Sequence, residues 1–221
     1  MSYHKNMIYV ALIGDMVGSR SYRSGVREKV QERLRNALAA ANVDGNRKAD
    51  IEAGFVITTG DEFQALLKAG ADPLWFARFL QDFMGEEPRF RFGIGKGSLA
   101  TKDIPEEALG IDGPCFHNAR DAIIRAKRDD ATCCVEGFGN LNDIINVLMD
   151  NFYTQYWELT EKQRKIYDYH YLHGYEVSEI QKLVNYRAPA YVYKVLQKRV
   201  VKVARKTENT ISEIFTTRAV K

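Results

Sequence analysis

Residues 51–67 read IEAGFVITTGDEFQALL. Two stretches rich in β-formers flank Thr59-Gly60-Asp61, and a glycine followed by an aspartate suits a tight hairpin turn, so the spacing predicts two antiparallel strands. Working upstream, residues 7–14 (MIYVALIG) form a short apolar run closed by Gly14-Asp15 and read as a buried strand. Between them, Val26, Val30, Leu34, Ala37, Leu38 and Ala41 fall at helical spacing, which predicts an amphipathic helix over 23–41 that stops near Asp44-Gly45-Asn46. Downstream, Asp72-Pro73 opens a helix over 72–84. Residues 89–99 (RFRFGIGKGSL) read as a strand ending in glycines, 114–127 as a helix capped by Asp112, and 131–138 as a strand.

The predicted order is β-α-β-β-α-β-α-β. Alternation around one central hairpin implies an α+β class, with a ferredoxin-like or polymerase-palm antiparallel sheet and its helices on one face. After about residue 140 the strand signals stop. A connecting helix over 141–152 is followed by helical segments at 160–172, 177–184 and 188–215, the first opened by a capping-box-like Thr160-Glu161-Lys162-Gln163. The expected organisation is an α/β domain over 1–140, a helical connector over 141–158 and an all-α domain over 159–221.

Charge divides at the same place. The net charge of the 221 residues is +3. Residues 1–159 carry 19 Lys/Arg against 23 Asp/Glu, a net of −4, and residues 160–221 carry 13 against 6, a net of +7. A basic tail on an acidic body points to a polyanion partner at one end. A hydrophobic content of 45% rules out bulk disorder. The opening apolar run is too short for a bilayer and no cleavage site follows it, so no membrane partner is expected. Three cysteines (Cys115, Cys133, Cys134) make neither a disulfide framework nor zinc spacing, which fits a reduced cytoplasmic protein.

Two carboxylates stand out. Asp15 sits just past the end of the first strand in Gly14-Asp15-Met16-Val17-Gly18-Ser19, and Asp61 sits in the turn of Thr58-Thr59-Gly60-Asp61-Glu62-Phe63. If the first strand lies beside the hairpin, both reach one sheet edge, where hard Mg²⁺ or Mn²⁺ ions would take carboxylate oxygens and clamp a phosphoryl group. Aspartate before a turn is also ordinary turn chemistry. Gly93-Ile94-Gly95-Lys96-Gly97 has neither Walker nor Rossmann spacing and is read as a strand end. His170 and His173 share a helix face without a carboxylate set, and the Cys133-Cys134 pair and the tyrosines at 167, 169, 171 and 175 are read as packing.

The segment around Asp15 resembles the metal motif of class III nucleotidyl cyclases. The Asp61 hairpin resembles both their Gly-Asp-x-Phe turn and the Gly-Gly-Asp-Glu-Phe signature of diguanylate cyclases. Arg91-Phe92-Gly93-Ile94-Gly95 resembles the cyclase strand that follows, and Gly113 through Ala119 stands where cyclases carry a nucleotide-contacting helix. The whole chain, tail included, resembles the SatD family of bacterial proteins. The cyclase resemblance implies a nucleotidyl-cyclase-like sheet, Asp15 and Asp61 as metal ligands, and a nucleoside triphosphate or other nucleotide held by Met16, Gly18, Ser19, Gly60, Glu62, His117 and Arg120. It also implies sites completed across a homodimer. The departures fall on specificity: Ile57 replaces the base-recognising Lys, His117 the ribose-orienting Asn and Asp121 the transition-state Arg, with Asn118 and Arg120 each one residue away.

The tail resembles the helix-turn-helix of sigma-factor region four. Ser178-Glu179-Ile180 and Leu183 mark the first helix of the motif, Asn185-Tyr186-Arg187 the turn, and Pro189 the start of the recognition helix. Val192, Val195, Leu196 and Val203 form one apolar stripe, with Lys194, Gln197, Lys198 and Arg205 on the opposite face. Tyr191, Tyr193 and Lys194 would meet base edges of double-stranded DNA, while Lys198, Arg199, Lys202, Arg205 and Lys206 would meet phosphates. Val201 on the polar side and the length of the helix fit less well. Two functions follow: a DNA-binding transcription regulator whose cyclase-like body binds a metal-nucleotide ligand, or an enzyme of metal-dependent nucleotidyl or phosphoryl transfer.

Overall fold

The computed structural model describes residues 7–45, 47–186 and 188–218; Asn46 and Arg187, both read as turn residues, lie outside them. Among the described residues are five strands: β1 (Tyr9–Met16), β2 (Ile51–Thr59), β3 (Glu62–Lys68), β4 (Phe90–Gly97) and β5 (Cys133–Glu136). Eight α-helices accompany them: α1 (Ser24–Val43), α2 (Pro73–Met84), α3 (Pro114–Arg128), α4 (Asn142–Glu158), α5 (Glu161–Tyr171), α6 (Val177–Leu183), α7 (Ala190–Leu196) and α8 (Arg199–Arg218). The chain is α+β with one mixed sheet. It divides into two compact units, one running to Asn146 and including Ser212 onward, the other Val147–Ile211.

The sheet order is β2-β3-β1-β4-β5. β1 is central and antiparallel to both β3 and β4, whereas β5 adds on parallel to β4. A central strand is covered on both faces, which is why YVALI is a continuous apolar run rather than an alternating one. The β2–β3 hairpin turns on Gly60-Asp61, with Gly60 left-handed at φ +58° as a two-residue loop requires. Asp72 caps α2, its Oδ1 accepting from the backbone N–H groups of Leu74 at 3.1 Å and Trp75 at 3.2 Å. The outer edge of β2 is covered in part by residues 106–108. Gly54 N–H donates to Glu106 O and Ala108 N–H to Gly54 O. At the opposite edge, the Asn146 side chain bonds both backbone groups of Val135 on β5.

The expectation of helices on one face needs correction, because they cover both. On one face α1 and α2 enclose an aromatic core in which Phe63 meets Phe55, Phe90 and Phe92, and Phe55 meets Phe76. On the other, α3 lies on Tyr9, Ala11 and Ile13 of β1. The run 93–97 explains this second layer. Gly93, Gly95 and Gly97 point their missing side chains at α3, and a Cβ on Gly95 would stand 2.1 Å from Ala119 N and from Cys115 O. The glycines form the last part of β4, which ends at Gly97 as expected. They bring the helix backbone down onto it. Asp112, expected to cap α3, does not: Gly113 holds that position, and Asp112 Oδ1 accepts from Gly113 N–H at 2.8 Å and lies 2.7 Å from His117 Nε2.

In the second unit α5, α6 and α7 pack against one another around Ile166, Tyr167, Ile180, Val192, Val195 and Leu196. The capping box at Thr160 and Gln163 is formed. The expected single helix over 188–215 is two helices, separated at Gln197-Lys198. The cause is phase. Five residues of one helix turn a side chain by about 500°, so Val201 would emerge about 140° from Leu196. The break resets the phase. Val201 is fully buried and Val203, placed on the apolar stripe by an unbroken helix, is 40% exposed.

Candidate functional site

Strand register assembles the first candidate site. Asp15 on β1 is directly opposite Glu62 on β3 and Arg91 on β4. Directly opposed like charges repel. The pair persists because α3 crosses the same face of the sheet with two cations. Lys127 Nζ lies 2.8 Å from Asp15 Oδ2, and Arg120 grips Glu62 through Nη1 and Nη2, the latter to Oε1 at 2.7 Å. The carboxylate side chains are 18% and 14% exposed for Asp15 and Glu62, so water screens these contacts only in part. Thr58 Oγ1 donates to Glu62 Oε1 at 3.2 Å. The Arg120 hydrogen bonds hold the Glu62 carboxyl below its usual range against the opposing effect of burial, with Thr58 and Lys127 adding to them. The same contact raises Arg120.

Asp61 reaches the same sheet edge from the hairpin turn, where its Oδ2 accepts from Ser19 Oγ. Ser19 is positioned by Gly18, which turns the chain out of β1 at φ +71°. The expected residues Asp15, Asp61, Glu62, Ser19, Gly18, Gly60 and Arg120 therefore gather at one end of the sheet. Met16 does not join them: one residue on from Asp15 in β1, it is buried on the opposite face of the sheet. Nor does His117. It lies in the first turn of α3 against Asp112, ten residues before Lys127, a helical rise of about 15 Å. Asn118 is likewise committed, donating to Lys96 O at 2.8 Å.

Lys127 is a member of this cluster that the motifs do not contain, and Thr58 stands at the head of the hairpin motif without having been assigned a role there. A sequence signal for Lys127 exists: Arg120 and Lys127 are seven residues apart and lie on one helical face. Among the described residues no group of three or more His, Cys, Asp or Glu is arranged to hold a metal ion. Burial pushes the Cys115 thiol up to about 12 and Cys133 well up, so both are inert core.

The second candidate site is α7 and the turn before it. Val192, Val195 and Leu196 are buried, which leaves Tyr193, Lys194, Gln197 and Lys198 outward, with Tyr193 57% exposed. Tyr191 is not free for a ligand face: its ring stacks on Tyr186 at 3.8 Å and 6°, and Lys162 Nζ lies 4.7 Å from the Tyr186 ring. Arg199 and Lys202 are exposed but belong to α8. Arg205 is turned inward, with Nη1 2.8 Å from Glu208 Oε2 and its guanidinium 4.8 Å over the Tyr171 ring. The guanidinium expected at a phosphate thus has a protein partner in Glu208, which also accepts from Tyr167 Oη at 2.8 Å.

Residues 9–215 match the SatD family, which is nearly the whole of both units. This chain belongs to the SatD family. A search of the curated proteins found no match. Both candidate sites of this SatD protein lie inside the matched span, from Asp15 in β1 to Lys198 after α7. No described helix is long and apolar enough to cross a membrane.

Proposed function

We propose that this SatD protein is a DNA-binding regulatory protein. In this reading α6, its turn and α7 form a helix-turn-helix that enters the major groove, joined to a ferredoxin-like body of nucleotidyl-cyclase type. The strand order supports the body: β4-β1-β3-β2 is an all-antiparallel four-strand core of two interleaved β-α-β units, with β5 added at one side. The observation that carries the DNA reading is the two-sidedness of α7. Its buried valines fix it to α5 and α6, and the opposite side offers the exposed Tyr193 and Lys194, continued past the helix end by Gln197 and Lys198. Tyr193 and Lys194 are suited to base edges, Gln197 to an adenine edge, and Lys198, Arg199 and Lys202 to phosphates. The Tyr186–Tyr191 stack holds the turn against the helix and so orients that face. Metal-dependent nucleotidyl transfer has weaker support, since each carboxylate it would use already has a protein partner.

The test is selection of duplexes from a random library by the full-length protein, followed by fluorescence anisotropy at stepped salt. We expect log K to fall linearly with log salt, by about 0.9 for each phosphate neutralised. Lys198→Ala should weaken binding evenly across sequences and reduce the salt slope by about 1, whereas Tyr193→Ala should relax sequence preference. Binding that is no tighter to duplex DNA than to a neutral polymer overturns the reading.

A further inference from the structure

The carboxylates at the sheet edge raise a question that the DNA reading does not answer: which cation neutralises them. The donor set does not fit a metal ion. Asp15, Asp61 and Glu62 bring three negative charges to this edge, and each has a resident partner, Lys127, Ser19 and Arg120 in turn. A divalent ion at Asp15 would have to displace the Lys127 ammonium and then stand beside it. It would also face Arg91, directly opposite Asp15 on β4, whose Nη2 is 2.5 Å from Asp130 Oδ1.

We infer that Lys127 is the built-in counter-ion of Asp15, occupying the position that a divalent cation would take, and that it closes this edge to Mg²⁺ and Mn²⁺. Three features favour the tethered cation. Lys127 lies on a helix held hard against the sheet, because Gly93 and Gly95 leave no room for a Cβ between β4 and the backbone at Ala119 and Ile123. A cation fixed on α3 binds its carboxylate intramolecularly, at high effective concentration. Mg²⁺ would have to shed water to reach the same oxygens, which it does reluctantly. The Glu62–Arg120 grip beside it works the same way, two cations from one helix face serving two opposed carboxylates. The inference concerns the body alone and does not depend on the DNA reading.

Mn²⁺ uptake by the full-length protein, followed by loss of the free-ion electron paramagnetic resonance signal, tests it. Wild type should take up no Mn²⁺ at this site, and Lys127→Gln should take up one ion that Lys127→Gln/Asp15→Asn does not. MgCl₂ should raise the Tm of Lys127→Gln by several degrees and leave that of wild type unchanged. Lys127→Arg, which keeps a cation, should behave as wild type. Mn²⁺ uptake by wild type that Asp15→Asn abolishes overturns the inference, and this arm stands whether or not Lys127→Gln folds. A folded Lys127→Gln that takes up no Mn²⁺ overturns it as well.

Discussion

Asp15 and Glu62 stand directly opposite each other on neighbouring strands, and each is answered by a cation from the same face of α3. The arrangement links the sheet's register to the helix above it. A one-residue slip of β1 against β3 would turn Asp15 to the other face, among the phenylalanines. The charge pairs therefore specify the fold as well as any ligand chemistry.

Glu62 should give the protein a pH dependence of definite sign. Arg120 lowers its folded-state pKa, so the stabilisation is fully present above the ordinary carboxylate range and is lost as pH falls through the lowered value. Glu62→Gln should cost about 1–2 kcal/mol at neutral pH, allowing for the part-exposed Arg120. The difference from wild type should vanish in acid. Urea melts of both proteins at neutral and acidic pH measure this, and a difference that persists unchanged in acid would show that the charge is not its source.

Gly95→Ala should be far more damaging than an ordinary strand substitution. Its Cβ would press on the α3 backbone at 2.1 Å, where no flexible side chain can yield. A loss of about 3 kcal/mol is expected from overpacking, with α3 and its two cations displaced. Thermal denaturation reads the loss. A variant as stable as wild type would mean that α3 stands farther from β4 than described.

The helix break at Gln197-Lys198 can be tested by two neighbouring valines. Val201→Ala should cost about 2 kcal/mol, because Val201 is fully buried, whereas Val203→Ala should stay within about 0.5 kcal/mol of wild type. An unbroken helix predicts the reverse order, so chemical denaturation of the pair decides between them.

Arg205 and Lys198 are both basic residues of the tail and should behave differently. Arg205→Ala removes a partner of the buried Glu208 and should lower the Tm while leaving DNA affinity of the folded protein within about twofold. Lys198→Ala should leave the Tm unchanged and weaken DNA binding. Equal loss of DNA affinity in both would return Arg205 to the phosphate-contacting set.

The alternation of periods in the sequence was enough for the order of elements as far as α6. The apolar run at 9–13, the Gly60-Asp61 turn and the Asp72-Pro73 cap each determine their own element, because strand burial, two-residue turns and N-caps are local chemistry. The convergence of Asp15 and Asp61 at one sheet edge was also legible, since it follows once β1 is placed beside the hairpin. What neutralises them was not. Lys127 lies 112 positions after Asp15 in the chain, and only the glycine-lined approach of α3 to β4 brings them within 2.8 Å. The same is true of the tail. Its sequence set out a basic, amphipathic helical segment, but whether Val201 or Val203 faces inward depends on where the helix breaks. That choice is made by which side chains the neighbouring helices can bury, and burial is a property of the assembled unit rather than of the segment.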